Sequence, residues 1–419
     1  MQKELSTLIQ SKIKQLTTSI GLTIIALSLL LTQCQAAVPV YTKFKNISTL
    51  SLNYKGYLKT VMTNTWNNYR DNFMENKVKV VDYGVPGGVI TSEGQSYALL
   101  RAVWANDKIG FDNIYNWTKT NMQIRSTDKM FVWRINATTG VVDMMNATDA
   151  EMDISLALIT ASKKWGNIGT INYQNEVQQI LDSVYTERVV TTTDNYTILL
   201  PFNTHLWRNK EILNPSYFSP AHYRIFAQVD TNSLHKWVKM ADDVYPILAS
   251  MKSPVGLYAN WYEYDYISNA ITPGKWYPDP SDDKYGYDAF RTFFRVGLDY
   301  EWFKNPYAQL VEKDARAFFE NQYNTNGKVF AVYDLSGNVV PGSNYEDRAI
   351  NTAPLFNLYY SDSKKFTFFV RDFYLDKVNN TTKLFNVNDN YYNLNWTSLS
   401  MMHMADMSRD GLSTLILPY

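Results

Sequence analysis

The feature that most constrains the fold of this chain is a series of twelve stretches with the apolar spacing of a helix. Short segments rich in Asn, Asp, Gly and Pro separate these stretches, and no Gly/Ser-rich or Pro-rich linker divides residues 40–419. Strand-like alternation is rare, and its best short candidates are Lys328–Tyr333 and Val189–Pro201. The predicted helices span residues 53–75, 92–106, 111–123, 149–165, 172–187, 219–228, 231–251, 287–303, 306–323, 345–360, 363–376 and 391–408.

Twelve helices without a linker can stack as a solenoid or close as six helical hairpins into a ring. No fixed period repeats along the chain, which weighs against a solenoid. A closed ring of inner and outer helices, an (α/α)6 barrel, accommodates the count in one domain, although periodicity alone does not establish closure. The sequence therefore predicts an all-α fold, with a single domain over residues 51–419 that follows a connecting segment at residues 37–50.

Composition excludes several classes of function. The chain has 40 basic and 40 acidic residues, which gives no electrostatic reason to bind nucleic acid. One cysteine rules out an internal disulfide framework and a multi-thiolate metal site, and the four histidines lack metal-ligand spacing, so a histidine metal centre is not expected either. The surplus is in aromatic residues, with 31 Tyr, 20 Phe and 11 Trp, which suits sugar binding and a helical core equally.

The N-terminus has the pattern of an export signal. Three lysines precede an apolar run at residues 20–31 that is too short to span a bilayer comfortably. Two endings compete: a lipoprotein-type site at Cys34, where Gln33 is bulkier than expected, and ordinary cleavage beside Ala36 or Ala37. We expect a mature protein that is secreted, periplasmic or attached to the outer membrane through lipidated Cys34, and that is a monomer.

Carboxylates occur at the starts of three predicted helices. Ser92–Gln95 and Thr148–Glu151 both have the form of a capping box, and the residue just inside each cap is acidic: Glu93 and Asp149. Asp288 lies at the start of a third helix. If these helices begin at the same end of a barrel, the three carboxylates converge at one mouth.

The structural alternative is that these acids only complement helix dipoles, a contribution of up to ~1 kcal/mol. Glu151 is explained in this way, as the returning arm of a capping box. Glu93 differs because Gly94 follows it in the first turn, which indicates either close approach of another molecule or a tight helix contact. A general acid at this position needs a raised pKa, and burial among aromatic residues next to Asp149 would supply it.

Four segments resemble family 8 glycoside hydrolases, in the order that this family has them. Val89–Tyr97 resembles the segment that carries the catalytic acid, and Ala147–Glu151 resembles the signature Ala-Thr/Ser-Asp-Ala-Asp. Asn214–Ala221 and Tyr287–Arg291 resemble two further segments. The resemblance implies an (α/α)6 barrel with an open cleft at one end, which hydrolyses β-1,4-linked polysaccharides with inversion and without a cofactor.

The resemblance also implies roles for individual residues. Glu93 would be the general acid, Asp288 the general base that activates water, and Asp149 the residue that holds the distorted sugar. Among the residues at the substrate site, Tyr217 and Tyr287 would hydrogen-bond around the reacting centre, and Arg291 would fix the carboxylate network. The sugar-stacking side chains would be Trp133 and Trp207, with Tyr391 and Tyr392 as weaker candidates. One departure stands out, because Glu151 replaces the second Asp of the signature. Some subgroups of the family place the base elsewhere, so Asp288 is the less secure assignment.

The family covers several substrates, and the sequence favours a β-1,4-glucan or a bacterial exopolysaccharide. Chitosan is cationic, and residues 37–419 hold 37 basic and 39 acidic side chains once three Lys and one Glu are removed with the signal. This balance gives chitosan little support, and xylan stays an alternative. A non-catalytic polysaccharide-binding protein, a helical scaffold protein and a polysaccharide lyase on a similar barrel are the other readings left open.

Overall fold

Alternating helices dominate the part of the chain that the computed structural model describes, residues 52–203, 209–274, 279–385 and 389–417. Twelve α-helices form within these ranges, as the apolar spacing predicts. They are α1 (Leu52–Asn72), α2 (Ser92–Trp104), α3 (Lys108–Met122), α4 (Thr148–Trp165), α5 (Tyr173–Arg188), α6 (Pro220–Val229), α7 (Trp237–Met251), α8 (Arg291–Phe303), α9 (Pro306–Asn326), α10 (Thr352–Tyr360), α11 (Phe366–Phe373) and α12 (Tyr391–Met404). Trp207 and the predicted export segment lie outside the described residues.

The even-numbered helices close into a ring. Each of α2, α4, α6, α8 and α10 packs against the next even-numbered helix, and α12 packs against α2. The odd-numbered helices pack outside this ring, with α3, α5, α7, α9 and α11 each contacting the even-numbered helix before it, and α1 contacting α12. The fold is therefore an (α/α)6 barrel, and the closure that periodicity left open is established by these contacts.

The two helix layers differ in how much of their surface they bury. The inner helix α4 is buried from Thr148 to Ser162 without interruption, as expected for a helix with neighbours on every side. The outer helix α3 buries one face, through Phe111, Ile114, Tyr115 and Met122 among others. Where α8 meets α10, a side chain on Gly297 would come within 2.7 Å of the Tyr360 ring, so glycine is required by this close approach.

The connections between helices are long at one end of the barrel and short at the other. Because inner and outer helices alternate in direction, all inner helices begin at the end with the long connections. This end is called the cleft end below. The connections at the cleft end are residues 73–91, 123–147, 189–219, 252–290, 327–351 and 374–390, and those at the opposite end are 105–107, 166–172, 230–236, 304–305 and 361–365.

Short antiparallel strands stiffen the connections at the cleft end. Val89–Thr91, Arg134–Asn136 and Val142–Asp143 (β1–β3) form one three-stranded sheet in the order β1-β2-β3. Lys210–Leu213, Tyr262–Asp265 and Ile271–Pro273 (β6–β8) form another, in the order β6-β7-β8. Two hairpins, β4-β5 and β9-β10, complete the set in the described residues: Val189–Thr191 with Thr197–Leu199, and Val378–Asn379 with Leu384–Phe385.

The strand predictions were right in one case and wrong in the other. Val189–Pro201 contains the hairpin β4-β5. Lys328–Tyr333 forms no strand, and only Tyr333 makes isolated bridges, to Tyr285 and Val339. The sheets β1–β3 and β6–β8 were missed because each of their strands is four residues or shorter and alternation needs a longer window to be visible.

Three helix starts were predicted too early. The helices expected from residues 231, 287 and 345 begin at Trp237, Arg291 and Thr352. In each case the residues before the helix form turns, so Asp288 lies in a turn before α8 and not within the helix. No helix in the described ranges is long and apolar enough to cross a membrane.

Candidate active site

The centre of the site is the guanidinium group of Arg291, the first residue of α8. One of its nitrogens, Nη1, donates hydrogen bonds to Glu93 at 3.0 Å and to Asp149 at 2.8 Å. The other, Nη2, donates a short hydrogen bond to Asp288. The side chain of Arg291 is 1% exposed, so three carboxylates from three helix starts meet around one enclosed cation.

Asp149 is the most enclosed of the three carboxylates, with 2% of its side-chain surface exposed. One of its oxygens accepts from Arg291 and the other accepts from the backbone N–H of Ala150 at 2.9 Å. Burial raises the pKa of Asp149, while Arg291 and Arg295 act in the opposite direction. In this structure Asp149 anchors Arg291, and its predicted contact with a distorted sugar stays a prediction.

Glu93 lies at the edge of the cluster, and 22% of its side-chain surface is exposed. Its Oε2 accepts from Arg291, and its Oε1 accepts from the Tyr391 hydroxyl at 3.1 Å. Tyr391 opens α12, so the acid is held by groups from two other inner helices. The carboxyl group is therefore fixed in direction yet open on one side to a ligand.

The electrostatic surroundings of Glu93 favour its protonated form. The pKa of Glu93 is raised to about 7: burial is the largest cause, the charges of Asp149 and Asp288 act in the same direction, and Arg291 opposes them. The physical reason is simple: one guanidinium cannot neutralise three carboxylates in an enclosed site, so one of the three retains a proton most easily. A general acid needs this property near neutral pH.

The first prediction concerns pH. If Glu93 must be protonated to act, kcat/KM on a β-1,4-glucan should fall as pH rises through about 7, roughly tenfold per pH unit above the pKa. Initial rates across a series of buffers measure this, with the midpoint of unfolding recorded at each pH to separate loss of fold from loss of activity. Unchanged kcat/KM well into the alkaline range would contradict the assignment.

Asp288 is held in its turn by a buried asparagine from an earlier part of the same connection, residues 252–290. The Oδ1 of Asn260 accepts from the backbone N–H groups of Asp288 at 3.0 Å and Ala289 at 2.9 Å. Asn260 is 3% exposed, and its Nδ2 donates to the carbonyl of Ser281 at 3.0 Å. Because 29% of the Asp288 side chain remains exposed, the carboxylate can reach a water molecule in the cleft while its backbone is fixed.

Replacing Asn260 by Ala should therefore displace Asp288. Two hydrogen bonds of about 1 kcal/mol each are lost, and we expect kcat to fall by roughly tenfold or more with a smaller change in KM. Steady-state kinetics on a soluble glucan measure this. Asn357→Ala is the matched control, since Asn357 is also buried but contacts Glu312 on α9; an equal loss of kcat in both variants would contradict the positioning role.

Aromatic side chains surround the carboxylates. Tyr217, just before α6, lies beneath the Arg291 guanidinium, 5.4 Å from the ring centre, and its ring contacts Trp261. Trp133 is half-buried, and its carbonyl accepts from the N–H of Ser92, directly before Glu93. Half-buried indole rings beside the carboxylates can stack against a sugar ring. Stacking on Trp133 stays a prediction, and Trp261 is a second candidate for the same role.

Tyr287 is oriented away from the carboxylate cluster. Its hydroxyl is 3.1 Å from that of Tyr345 and donates to Asp347 at 3.3 Å, while its carbonyl accepts from Tyr392 at 2.7 Å. Asp347 in turn accepts from the N–H groups of the turn before α10. The Tyr287 hydroxyl thus contacts Tyr345 and Asp347, and its predicted hydrogen bond at the reacting centre stays a prediction.

Both predicted capping boxes are wrong. The N-cap of α2 is Thr91, whose side chain accepts from the N–H of Gly94, and Gln95 bonds instead to Val78, Val80 and Thr118. A Cβ atom at position 94 would come close to Thr91 and Val80, so tight packing explains why this residue is glycine. In α4 the hydroxyl of Thr148 donates to the carbonyl of Leu200, and no side chain caps the helix.

Glu151 also has a different environment from the one predicted. It is fully buried, and its Oε1 accepts from the N–H of Phe131 at 3.0 Å. Burial is the main cause that raises its pKa to about 8. The residue is therefore a neutral core acid that fixes the connection before Trp133, and it does not contact Arg291 among the described side chains.

A stability prediction follows for Glu151. Its folded-state pKa lies above its ordinary value of 4.5, so the stabilisation is complete below about pH 4.5 and is lost as pH rises through about 8. Glu151→Gln removes this titration, and the stability difference between the wild type and the variant should change by up to about 5 kcal/mol across that range. Urea unfolding at acidic and alkaline pH measures it; a constant difference would contradict the buried, protonated state.

One group of side chains in the described residues has a spacing that could hold a metal ion: Asp182, Asp230 and His235. Asp230 and His235 lie in the connection between α6 and α7, at the end opposite the cleft end, and Asp182 lies on α5. The carboxylate of Asp230 already accepts from His235 at 2.7 Å and from Trp237 at 2.5 Å. These hydrogen bonds stabilise the turn between α6 and α7, and this structural role explains why the side chains lie together.

Three residues of the site were missed from sequence: Asn260, Trp261 and Asp347. Asn260 and Trp261 lie in the connection between α7 and α8, where no periodic pattern distinguishes them. Asp347 could have been found as an acidic residue just before an apolar helix. The helix was predicted to begin at residue 345, so the prediction placed Asp347 within it. Trp207, which was predicted to contact substrate, lies outside the described residues.

Comparison with known proteins gives consistent results. The model of the family described as Glycosyl hydrolases family 8 matches residues 47–406. Endoglucanase 2 of Ruminiclostridium josui is 32% identical over 253 residues, which cover 59% of this chain and 50% of that protein. An endoglucanase of Pseudomonas fluorescens is 32% identical over 246 residues, covering 56% of this chain and 59% of that one. The chain thus aligns with about half the length of these curated relatives.

Solved structures are similar in fold. An endo-1,4-D-glucanase from Vibrio fischeri superposes with a TM-score of 0.66 at 21% identity, over 80% of this chain and 93% of that one. A β-1,3-1,4-glucanase from Paenibacillus gives a TM-score of 0.70 at 20% identity, over 84% and 92% of the two chains. These similarities support the closed barrel described above.

Proposed function

The chain belongs to family 8 of the glycosyl hydrolases, and from this premise we propose that it hydrolyses β-1,4-linked glucan with inversion of configuration at the anomeric carbon. One observation carries the proposal. Arg291 hydrogen-bonds to Glu93, Asp149 and Asp288 at the cleft end. Glu93, the most easily protonated of the three, accepts from Nη1, and the more exposed Asp288 accepts from Nη2. Two carboxyl groups with different roles are what hydrolysis of a glycosidic bond requires.

In the proposed reaction, Glu93 donates its proton to the glycosidic oxygen as the bond from this oxygen to the anomeric carbon breaks. Asp288 accepts a proton from water as the water oxygen attacks the same carbon from the opposite face. Each proton and each bond is accounted for, and no cofactor enters the step. The sugar released at the new reducing end then carries the α configuration.

Inversion requires room for water between the base and the sugar, which corresponds to a carboxyl separation of roughly 6.5–9.5 Å. The guanidinium of Arg291 stands between Glu93 and Asp288, with a hydrogen bond to each. The proposal requires this separation between Glu93 on Nη1 and Asp288 on Nη2 of that cation. A separation of roughly 5–5.5 Å would instead fit a mechanism in which Asp288 attacks the sugar directly.

The substrate class comes from the relatives. Several curated relatives are named endoglucanases, and we extend this activity to the present chain as a proposal. The test is release of reducing sugar from carboxymethylcellulose, lichenan, xylan, chitosan and a bacterial cellulose exopolysaccharide. We expect the highest rates on the β-1,4-glucans.

The outcomes of this panel separate the alternatives. Preference for xylan or chitosan would keep the mechanism and replace the substrate. Binding of every glucan without release of sugar would favour a non-catalytic polysaccharide-binding protein. Products that absorb in the ultraviolet would indicate a lyase, because elimination leaves a double bond that hydrolysis does not.

We also propose that the enzyme acts outside the cytoplasm on an extracellular β-glucan or exopolysaccharide. The support is the charged and apolar pattern of residues 1–36. Mass spectrometry of the exported protein would distinguish cleavage beside Ala36 or Ala37 from a lipid on Cys34. Recovery of the full-length chain in the cytoplasm would contradict export.

A further inference from the structure

A buried arginine far along α2 from the catalytic acid lacks the counterion that its charge requires. Arg101 is fully buried, and its Nη1 donates to Asn395 Oδ1 at 2.7 Å. Its guanidinium lies over the rings of Tyr69 at 4.1 Å and Trp66 at 5.3 Å, and its Nε has no hydrogen-bond partner. Within the described ranges, no carboxylate forms an ion pair with it.

This arrangement is energetically unusual. A buried guanidinium without an anion loses its hydration, and an amide and two aromatic faces replace only part of that stabilisation. Burial lowers the pKa of Arg101 to about 10, which reflects the same imbalance. The other arginines enclosed near the site, Arg291 and Arg295, both have carboxylate partners.

Arg101 lines a cavity with a volume of about 350 Å³, between the second half of α1, α12 and the hairpin β9-β10. The polar groups that line it are hydroxyls and amides, from Thr65, Asn68, Asn379, Thr382 and Ser398. No acidic residue lines it among the described side chains. The cavity has room for a small ligand and combines one buried positive charge with neutral hydrogen-bonding groups and with apolar or aromatic side chains: Tyr69, Phe73, Leu384, Phe385 and Leu394.

We propose that this cavity binds a small oxyanion, a phosphate or a carboxylate, with the Arg101 guanidinium as its counterion. A planar guanidinium with a free N–H fits an oxyanion better than a spherical ion because it offers donors in a fixed plane. The hydroxyl and amide groups around it complete the hydrogen bonds of the remaining oxygens. The site is separate from the carboxylate cluster and independent of the proposed hydrolysis.

The test is thermal unfolding of the full chain with rising concentrations of inorganic phosphate, acetate or glucuronate, each at constant ionic strength set with chloride. We expect a saturable rise in the midpoint of about 2 °C or more with at least one of these anions. The anion with the largest effect identifies the source, phosphate or a sugar acid. No rise with any of the three would overturn the proposal.

Phosphate also stabilises proteins non-specifically, so variants decide the origin of the effect. Arg101→Met removes the charge at similar size and should abolish the rise. Asn68→Phe narrows the cavity and leaves the buried charge in place, and it should abolish the rise as well. This second variant keeps the proposal testable if Arg101→Met fails to fold. Arg125→Met is the matched control, because Arg125 is enclosed but paired with Asp128, and it should keep the rise. An equal rise in Arg101→Met or Asn68→Phe would overturn the proposal.

Discussion

Replacing Glu93 by Gln should lower kcat on a β-1,4-glucan by about 10²–10⁴-fold. Glutamine keeps the shape: its amide oxygen can still accept from Arg291, which bonds to Glu93 at 3.0 Å, and its amide nitrogen can donate to the Tyr391 hydroxyl, which lies 3.1 Å from Glu93. It cannot donate the proton that the departing oxygen needs. The loss should be much smaller on a dinitrophenyl glycoside, because that leaving group departs without an acid. Steady-state kinetics on both substrates measure the difference.

The control for this variant is Glu346→Gln, which changes an exposed acid in the connection before α10, also at the cleft end. It should keep nearly full activity. The unfolding midpoint of Glu93→Gln should be equal to or above that of the wild type, because the variant removes one of three carboxylates around one cation. Near wild-type activity in folded Glu93→Gln would remove the proposed acid from the mechanism.

Replacing Asp288 by Asn should cause a loss of similar size, about 10²–10⁴-fold in kcat, because water then lacks a proton acceptor. Added azide distinguishes this cause from a change of fold. Azide attacks without giving up a proton, so it should restore part of the rate and yield a glycosyl azide of the α configuration. Product analysis by NMR and chromatography measures both.

The Asp288 prediction has its own contrary outcomes. If activity stays near the wild-type level, another acid serves as the base, as in those subgroups of the family that place it elsewhere. If azide restores activity but gives the β product, Asp288 is not opposite the leaving group. Asp288→Asn also breaks one bond to Arg291, so the unfolding midpoint should accompany the kinetic measurement.

How far the fold was predictable can be judged from particular helices. All twelve helices were predicted because each one buries a face or its whole surface, which leaves a regular apolar spacing. The starts of α8 and α10 were predicted too early, since Asp288 and Asp347 precede them in turns. Those turns are fixed by Asn260 and Asn393, which are distant in sequence. A contact of this kind leaves no mark on local periodicity.

The candidate site shows the same limit. Acidic residues at helix starts were visible in the sequence, but only the family resemblance, and no local pattern, pointed to Arg291 as the residue that joins three of them. The capping boxes failed because Gln95 and Thr148 find partners in other connections of the barrel. Local patterns predict local bonds, and tertiary contacts compete for the same groups. Trp261 carried no signal at all, because an aromatic residue in a connection has the same appearance in a core and in a cleft.

The central claim is that Glu93 and Asp288 act from opposite faces of the sugar. The most direct measurement is proton NMR of the first product of hydrolysis of a cello-oligosaccharide, recorded before the anomers interconvert. The account predicts that the new reducing end appears as the α anomer and then converts to the equilibrium mixture. An initial β anomer would mean retention, and would contradict the assignment of Asp288 as the base that activates water.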